Sequence, residues 1–235
     1  MARRFESKVA LITGGNSGIG KATAKRLKEE GATIIITGRN EHTLAATATE
    51  LGVIAIQSDA SNLKDIDDLI AQIKIKFGYL DVIFANAGIA KFAPMSGMTE
   101  EIWDSVMDAN LKGVFFLIQK ASPLLRRGGA IVLNASIGAQ TSSSTAYGAS
   151  KAGVRLLGRS LAAELLPSGI RVNTVSAGPI DTPIYGRSDG VPDGVLDHFG
   201  AKTPMKRVGT PEEVANAVAF LAKRAAFYRT CSGQI

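Results

Sequence analysis

In the segment AYGASKAG, residues 146–153, a phenol and an ammonium stand four positions apart as Tyr147 and Lys151. Residues so spaced are neighbours on one face of a helix. A free phenol titrates near pH ~10 and exchanges protons poorly at neutrality, and an ammonium beside it favours the phenolate. The chemistry on offer is proton transfer to or from an oxygen atom. The remaining residues of the segment, Ala146, Gly148, Ala149, Ser150, Ala152 and Gly153, are small enough to let a flat ligand or another backbone approach.

A second group of residues offers binding rather than reaction. In TGGNSGIG (13–20), Gly14, Gly18 and Gly20 are spaced GxxxGxG between an apolar run and a helical pattern. Glycine permits backbone angles and close approaches that a Cβ forbids. The following helix start presents unsatisfied N–H groups and partial positive charge to a pyrophosphate. The context assigns dinucleotide binding to Gly14, Asn16, Ser17, Gly18, Ile19 and Gly20. The next strand ends ITGRN, with no aspartate at its tip to hold a ribose hydroxyl and with Arg39 where a 2′-phosphate would be paired. NADP(H) is therefore the preferred cofactor, NAD(H) the second choice.

The elements that must position these groups are legible as alternating patterns. Unbroken apolar runs at 8–13, 33–37, 53–57, 81–85, 130–134 and 170–176 predict strands buried on both faces. Helical patterns lie at 18–30, 40–50, 62–77, 99–121, 145–167 and 211–226, the last with Thr210 as N-cap and Pro211 in its first turn. Such alternation predicts an α/β fold, a Rossmann-like doubly wound parallel sheet with helices on both faces. No linker or repeat divides residues 1–235, so a single domain is expected.

Composition narrows the function. Hydrophobic residues make up 46% and charged residues 20%, as in a globular domain with a large core. The net charge of +6 comes from scattered basic residues without interleaved aromatics, which argues against nucleic acid and suits small anionic ligands. No apolar run is long enough to span a bilayer, and the N-terminus lacks the pattern of a signal peptide. The lone Cys231 excludes an intrachain disulfide and suits the cytoplasm. No cluster has metal-ligand spacing, so no metal is expected. His42 reads as a solvated helix residue, and neither it nor His198 has the sequence partners of a serine hydrolase. Trp103, Phe115 and Phe116 read as core or subunit contacts.

With TGGNSGIG, NAG at 86–88 and YxxxK at 147–151 in this order, the sequence resembles the short-chain dehydrogenase/reductase family, bacterial ketoreductases among them, over residues 5–225. AGPIDTP (177–183) is similar to the family's motif after the sixth strand, and TPEEVANAVAFLA (210–222) to its last helix. The resemblance implies a catalytic set of Asn110, Ser136, Tyr147 and Lys151. Tyr147 exchanges the proton, and Lys151 binds the nicotinamide ribose and lowers the phenol pKa. Ser136 holds the substrate oxygen, and Asn110 completes a relay through water. It implies further cofactor contacts at Asp59 and Ala60 on the adenine side, at Asn86, Ala87 and Gly88 after the fourth strand, and at Pro179, Ile180 and Thr182 toward the nicotinamide. A substrate lid is expected at about 181–209, and the assembly is a homo-oligomer, dimer or tetramer.

The expected activity is hydride transfer between NADP(H) and a ketone or secondary alcohol. The alternative is a dinucleotide-binding protein without turnover, a redox sensor or damaged paralogue. The pocket residues Ile89, Phe92, Ile137, Ala139, Gln140, Ile180, Tyr185 and Phe199 are mostly apolar, with no Arg or Lys placed for a substrate carboxylate, and point to a neutral, partly hydrophobic carbonyl. The ending FYRTCSGQI (227–235) departs from the family, with remnants of a turn at Tyr228, Thr230, Gly233 and Gln234 and no seventh strand. That departure predicts an unpaired edge on the sixth strand and lost cover over Val214, Val218 and Leu221.

Overall fold

The computed structural model describes residues 3–137, 145–187 and 194–223. Six parallel strands, β1 (Val9–Ile12), β2 (Thr33–Gly38), β3 (Ile54–Gln57), β4 (Leu80–Ala85), β5 (Leu125–Ser136) and β6 (Arg171–Ala177), form one sheet in the order β3-β2-β1-β4-β5-β6. The chain winds one way from β1 to β3 and the other way from β4 to β6. The loops leaving β1 and β4 therefore diverge and open a crevice at the carboxyl ends of the strands.

Helices α1 (Gly18–Glu29), α2 (Glu41–Leu51) and α8 (Pro211–Ala222) cover one face, where Leu27, Leu44 and Val218 meet Ile12, Ile34 and Val132. Helices α3 (Leu63–Lys76), α5 (Gly113–Ala121) and α6 (Thr145–Leu165) cover the other, where Ile73, Leu117 and Val154 meet Leu11, Ile83 and Leu133. Alternate residues of each strand thus serve opposite cores, which is why the strands read as continuous apolar runs. Capping is local and sequence-encoded: Asn40, Asn62 and Thr210 accept from first-turn N–H groups of α2, α3 and α8, the last in a full capping box with Glu213.

Three expectations need correction. The helix predicted over 99–121 is α4 (Glu100–Met107) and α5 joined by a π-helical turn, Asp108–Lys112. The periodicity of apolar residues does not register one extra residue in a turn, and such turns cluster at functional sites. The last helix ends at Ala222, four residues before the expected 226, and the tail with Tyr228, Thr230, Gly233 and Gln234 lies outside the described residues. The predicted loss of cover on α8 is not seen at Val214 and Val218, which are buried where α8 packs on α1 and β5, whereas Leu221 is only partly buried. Among the described residues β6 pairs only with β5, and its buried Arg171 donates to the carbonyls of Leu221 and Ala222, closing the end of α8.

Among the described residues, the chain after β6 leaves the sheet and returns to it at one bridge, Ile180 with Gly209. Gly209 N–H donates to Pro179 O and Asp181 N–H to Gly209 O, each at 2.9 Å. The described residues 181–187 and 194–208 therefore lie off the sheet, pinned at this base. They carry α7 (Val195–Lys202), and their return is clamped by the Arg207–Glu213 ion pair at 2.6 Å.

Candidate active site

The crevice is a cleft of about 780 Å³ lined from both halves of the sheet. At its first wall stands the glycine loop. Gly18 has a φ of +49°, and a Cβ on Gly20 would lie 2.1 Å from Gly14 O, so the loop can fold back on the helix start only with glycine there. Ser17 makes no side-chain cap to α1, and the first turn of that helix holds no acidic residue, unlike α2, α3, α4 and α8. An anion at that end would take the backbone N–H groups that a cap would otherwise use. Asn16 is set by donation from its Nδ2 to Thr43 Oγ1 at 2.9 Å, which joins the loop to α2.

At the tip of β2, Arg39 Nη1 lies 4.0 Å from Asp59 Oδ2, and Asp59 Oδ1 accepts from the N–H and hydroxyl of Ser61. The two residues assigned separately to the adenosine end are thus a facing pair. The arginine side chain is 63% exposed and able to swing to a phosphate. Ala60, Ala87, Gly88, Pro179 and Ile180 also line the cleft, and Thr182 touches the position a Gly18 side chain would take. The glycine cradle, the helix start without an acidic first turn and the exposed arginine beside Asp59 fit a dinucleotide phosphate.

A polar web ties this wall to the catalytic candidates. Thr13 Oγ1 accepts from the N–H groups of Asn86 and Ala87, and Asn86 Nδ2 donates to Thr13 O. Asn134 Nδ2 donates to Asn86 Oδ1 at 2.9 Å, while Asn134 O accepts from Lys151 Nζ at 2.8 Å. Asn134 Oδ1 is buried without a partner among the described residues, leaving room for a donor there. On the other side, Asn110 is fully buried. It donates through Nδ2 to Ile89 O and Ser150 Oγ and accepts at Oδ1 from Ile89 N–H. Its side chain is committed to holding the loop after β4 against α6, and the π-helical turn is what delivers it there.

Ser136 at the end of β5 hydrogen-bonds the Tyr147 phenol, and Lys151 Nζ lies 5.8 Å from the centre of the phenol ring. The electrostatics differ from the sequence expectation. Burial pushes the Tyr147 phenol above its ordinary pKa, only partly offset by the Ser136 hydrogen bond. Burial also lowers the Lys151 ammonium from its ordinary 10.5 to about 8. Spacing of four on a helix places the two groups side by side, but desolvation outweighs their mutual effect. Tyr185 joins them, its phenol raised by burial and, less, by the proximity of Tyr147, whose ionised form would repel a second phenolate.

Ile89, Phe92, Ile137, Ile180, Tyr185 and Phe199 line the substrate side as expected, whereas Ala139 and Gln140 lie outside the described residues. Lys202 of α7, which the sequence reading did not place there, also lines the cleft. The weak periodicity of the segment after β6 gave no cue to this placement. The sequence reading also passed over Thr13, Asn134 and Ser150. Asn134 did carry a signal, a lone amide inside the apolar run AIVLNA. His42 is exposed on α2, and no group of His, Cys, Asp and Glu among the described residues could hold a metal.

A doubly wound sheet whose switch-point crevice joins a glycine loop to a Ser–Tyr–Lys cluster defines a dinucleotide-dependent oxidoreductase. A family model described as Enoyl-(Acyl carrier protein) reductase matches residues 14–235. The chain is 41% identical to Oxidoreductase asL5 of Sarocladium schorii, covering 98% of this chain and 94% of the relative. It is 38% identical to the 3-oxoacyl-[acyl-carrier-protein] reductase FabG of Thermotoga maritima, covering 99% and 96%. Among solved structures, a short-chain dehydrogenase/reductase (glucose/ribitol dehydrogenase) from Brucella melitensis superposes with a TM-score of 0.92 at 34% identity, covering 98% of this chain and 95% of that one. Levodione reductase superposes at 0.90 with 33% identity, covering 97% and 95%. The chain belongs to the short-chain dehydrogenase/reductase family and is an NAD(P)-dependent oxidoreductase acting on carbonyl and alcohol groups.

Proposed function

We propose that the protein reversibly reduces a ketone to a secondary alcohol with NADP(H). The observation that carries this reading is the Ser136–Tyr147 hydrogen bond at the floor of a cleft that runs continuously to Arg39. The nicotinamide, when bound, supplies the hydride to the carbonyl carbon. The rest is the work of the chain's own groups. Ser136 donates a hydrogen bond to the substrate oxygen and fixes its direction. Tyr147, held protonated at neutral pH by burial, gives its proton to that oxygen as negative charge develops there. Lys151, still cationic below about pH 8, stabilises the phenolate left behind and holds the ribose. Asn134 keeps the lysine in place, and Asn110 holds the loop after β4 and completes the proton relay through water.

Arg39 favours the phosphorylated cofactor, through a charge-assisted hydrogen bond to the 2′-phosphate. Ile89, Phe92, Ile137 and Tyr185 make the surroundings of the reacting carbonyl neutral and partly hydrophobic. We infer one domain and the cytoplasm as the compartment, from the single cysteine, and a homo-oligomer in which the half-exposed Trp103 and Phe115 of α4 and α5 supply contacts. The test is NADPH oxidation followed by absorbance over a panel of aliphatic and cyclic ketones. Turnover with NADPH ahead of NADH supports the reading. Cofactor binding without turnover on any carbonyl would replace it with the non-catalytic alternative.

A further inference from the structure

Among the described residues the cleft is lined by four charged side chains: Arg39, Asp59, Lys151 and Lys202. The first three have places in the cofactor and proton machinery, and the fourth has none. Lys202 sits in the last turn of α7, three residues beyond Phe199 and so on the same helix face. The Phe199 ring lies 6.1 Å from that of Tyr185, which lines the same cleft as Tyr147 and is near enough for the two phenols to oppose each other's ionisation. These residues mark a path from the reacting oxygen past two aromatic rings to a cation at the rim, a helical turn or about 5 Å beyond Phe199.

The neighbouring cations are committed elsewhere. Lys206 Nζ donates to Ala201 O at 3.0 Å, and Arg207 is held by Glu213. Among the described residues Lys202 is in no ion pair. An uncommitted ammonium at the end of a mostly apolar channel selects for charge at the far end of the ligand, while the channel itself accepts an uncharged body.

We propose that Lys202 is a specificity-determining residue that favours carbonyl substrates ending in anionic oxygen atoms, a carboxylate or a phosphate, remote from the carbonyl. This rests on the reductase reading above. It also refines it, since the reacting end stays neutral while the distal end is charged. Because the ammonium is exposed and far from the chemistry, its effect falls on KM and leaves kcat in place.

The experiment uses a matched set of medium-chain ketones that differ only in the terminal group: carboxylate, phosphate or methyl ester. Wild type is expected to show a KM roughly 5- to 10-fold lower for the carboxylate or phosphate than for the ester, in the range of an exposed to partly desolvated charged contact. Lys202→Gln should abolish the preference and Lys202→Glu reverse it, with ester kinetics and NADPH affinity unchanged. Added salt at 0.5 M should shrink the wild-type preference. A larger effect for one of the two anions identifies the terminal group. Equal KM values across the set, a preference that survives Lys202→Gln, or a weakened NADPH complex in that variant would overturn the proposal, the last by giving Lys202 to the cofactor. Calorimetric binding of the corresponding alcohols to the NADP+-loaded protein reads the same selectivity without turnover. Charge-selective binding lost in Lys202→Gln, with no ketone reduced, would sink the reductase reading and leave Lys202 standing.

Discussion

The two ends of the sheet both bury charge, and they treat it in opposite ways. At the amino ends of the strands, Asp81 of β4 is 5% exposed and accepts from Arg126 through both carboxylate oxygens, from Lys8 at 3.1 Å and from Val9 N–H at 2.9 Å. Arg126 also lies 3.9 Å from the centre of the Tyr79 ring. Glu30, 1% exposed, is clasped by Arg4 and Arg26. Burial alone would raise its pKa, yet the two arginines hold it below the ordinary carboxylate value. At the carboxyl ends, Lys151 is equally buried but meets one carbonyl oxygen and, among the described residues, no carboxylate within ion-pair distance. The paired charges are structure. The unpaired one carries a desolvation cost that no carboxylate among the described residues offsets, and its depressed pKa records that cost.

The largest effect should come from the carboxyl end. Tyr147→Phe removes a positioned proton donor without charge or much volume, so turnover should fall by roughly 10²–10⁴-fold with cofactor affinity and melting temperature held. Steady-state kinetics beside a cofactor titration checks this. Near wild-type turnover would strip Tyr147 of its role.

At the amino end the expected loss is of stability instead. Asp81→Ala leaves Arg126 and Lys8 without their counter-charge and Val9 N–H without its acceptor. Breaking a buried pair costs about 3–5 kcal/mol, and the half-exposed state of Arg126 and Lys8 sets the expectation near about 3 kcal/mol. Denaturant unfolding should show it, with kcat of the folded enzyme unchanged. A loss of kcat without a loss of stability would erase the contrast between the two ends.

Lys151→Met tests the same contrast from the other side. An ammonium with a folded pKa of about 8 against an ordinary 10.5 is disfavoured by folding at neutral pH. Its removal should therefore raise stability by up to about 3 kcal/mol at pH 7 while turnover collapses. The sign fixes the pH window. Between about 8 and 10.5 the unfolded chain holds the proton that the folded one has released, so wild-type stability gains on the variant as pH rises through that range. Urea melts at pH 7 and pH 10 measure it. A variant less stable than wild type at both would show that the buried ammonium is well satisfied.

The smallest expected effect is on selectivity. Arg39→Ala should weaken NADPH binding roughly 10- to 100-fold, the worth of a charge-assisted hydrogen bond, and leave NADH nearly unchanged. Equal losses would mean that Arg39 serves mainly to face Asp59 across 4.0 Å.

What could be read from the chain alone is whatever depends on short stretches of backbone. The six strands and most helices follow from apolar periodicity. The glycine loop follows from residues that alone permit its angles and contacts, and Tyr147 and Lys151 follow from helical spacing. Tertiary structure decided what depends on which groups share a low-dielectric volume. It reversed the expected direction of the Tyr147 pKa, because burial is a property of the whole packed cleft. It bound Asn110 to Ile89 and Ser150 through a π-helical turn that periodicity does not register, and it made Asn134 the junction between Asn86 and Lys151. It also brought Lys202 of α7 to the lining of the cleft, from a segment whose sequence carries no periodic signal of where it packs. Local propensity is written in neighbouring residues, whereas desolvation and convergence are sums over residues far apart in the chain, and only the folded arrangement performs those sums.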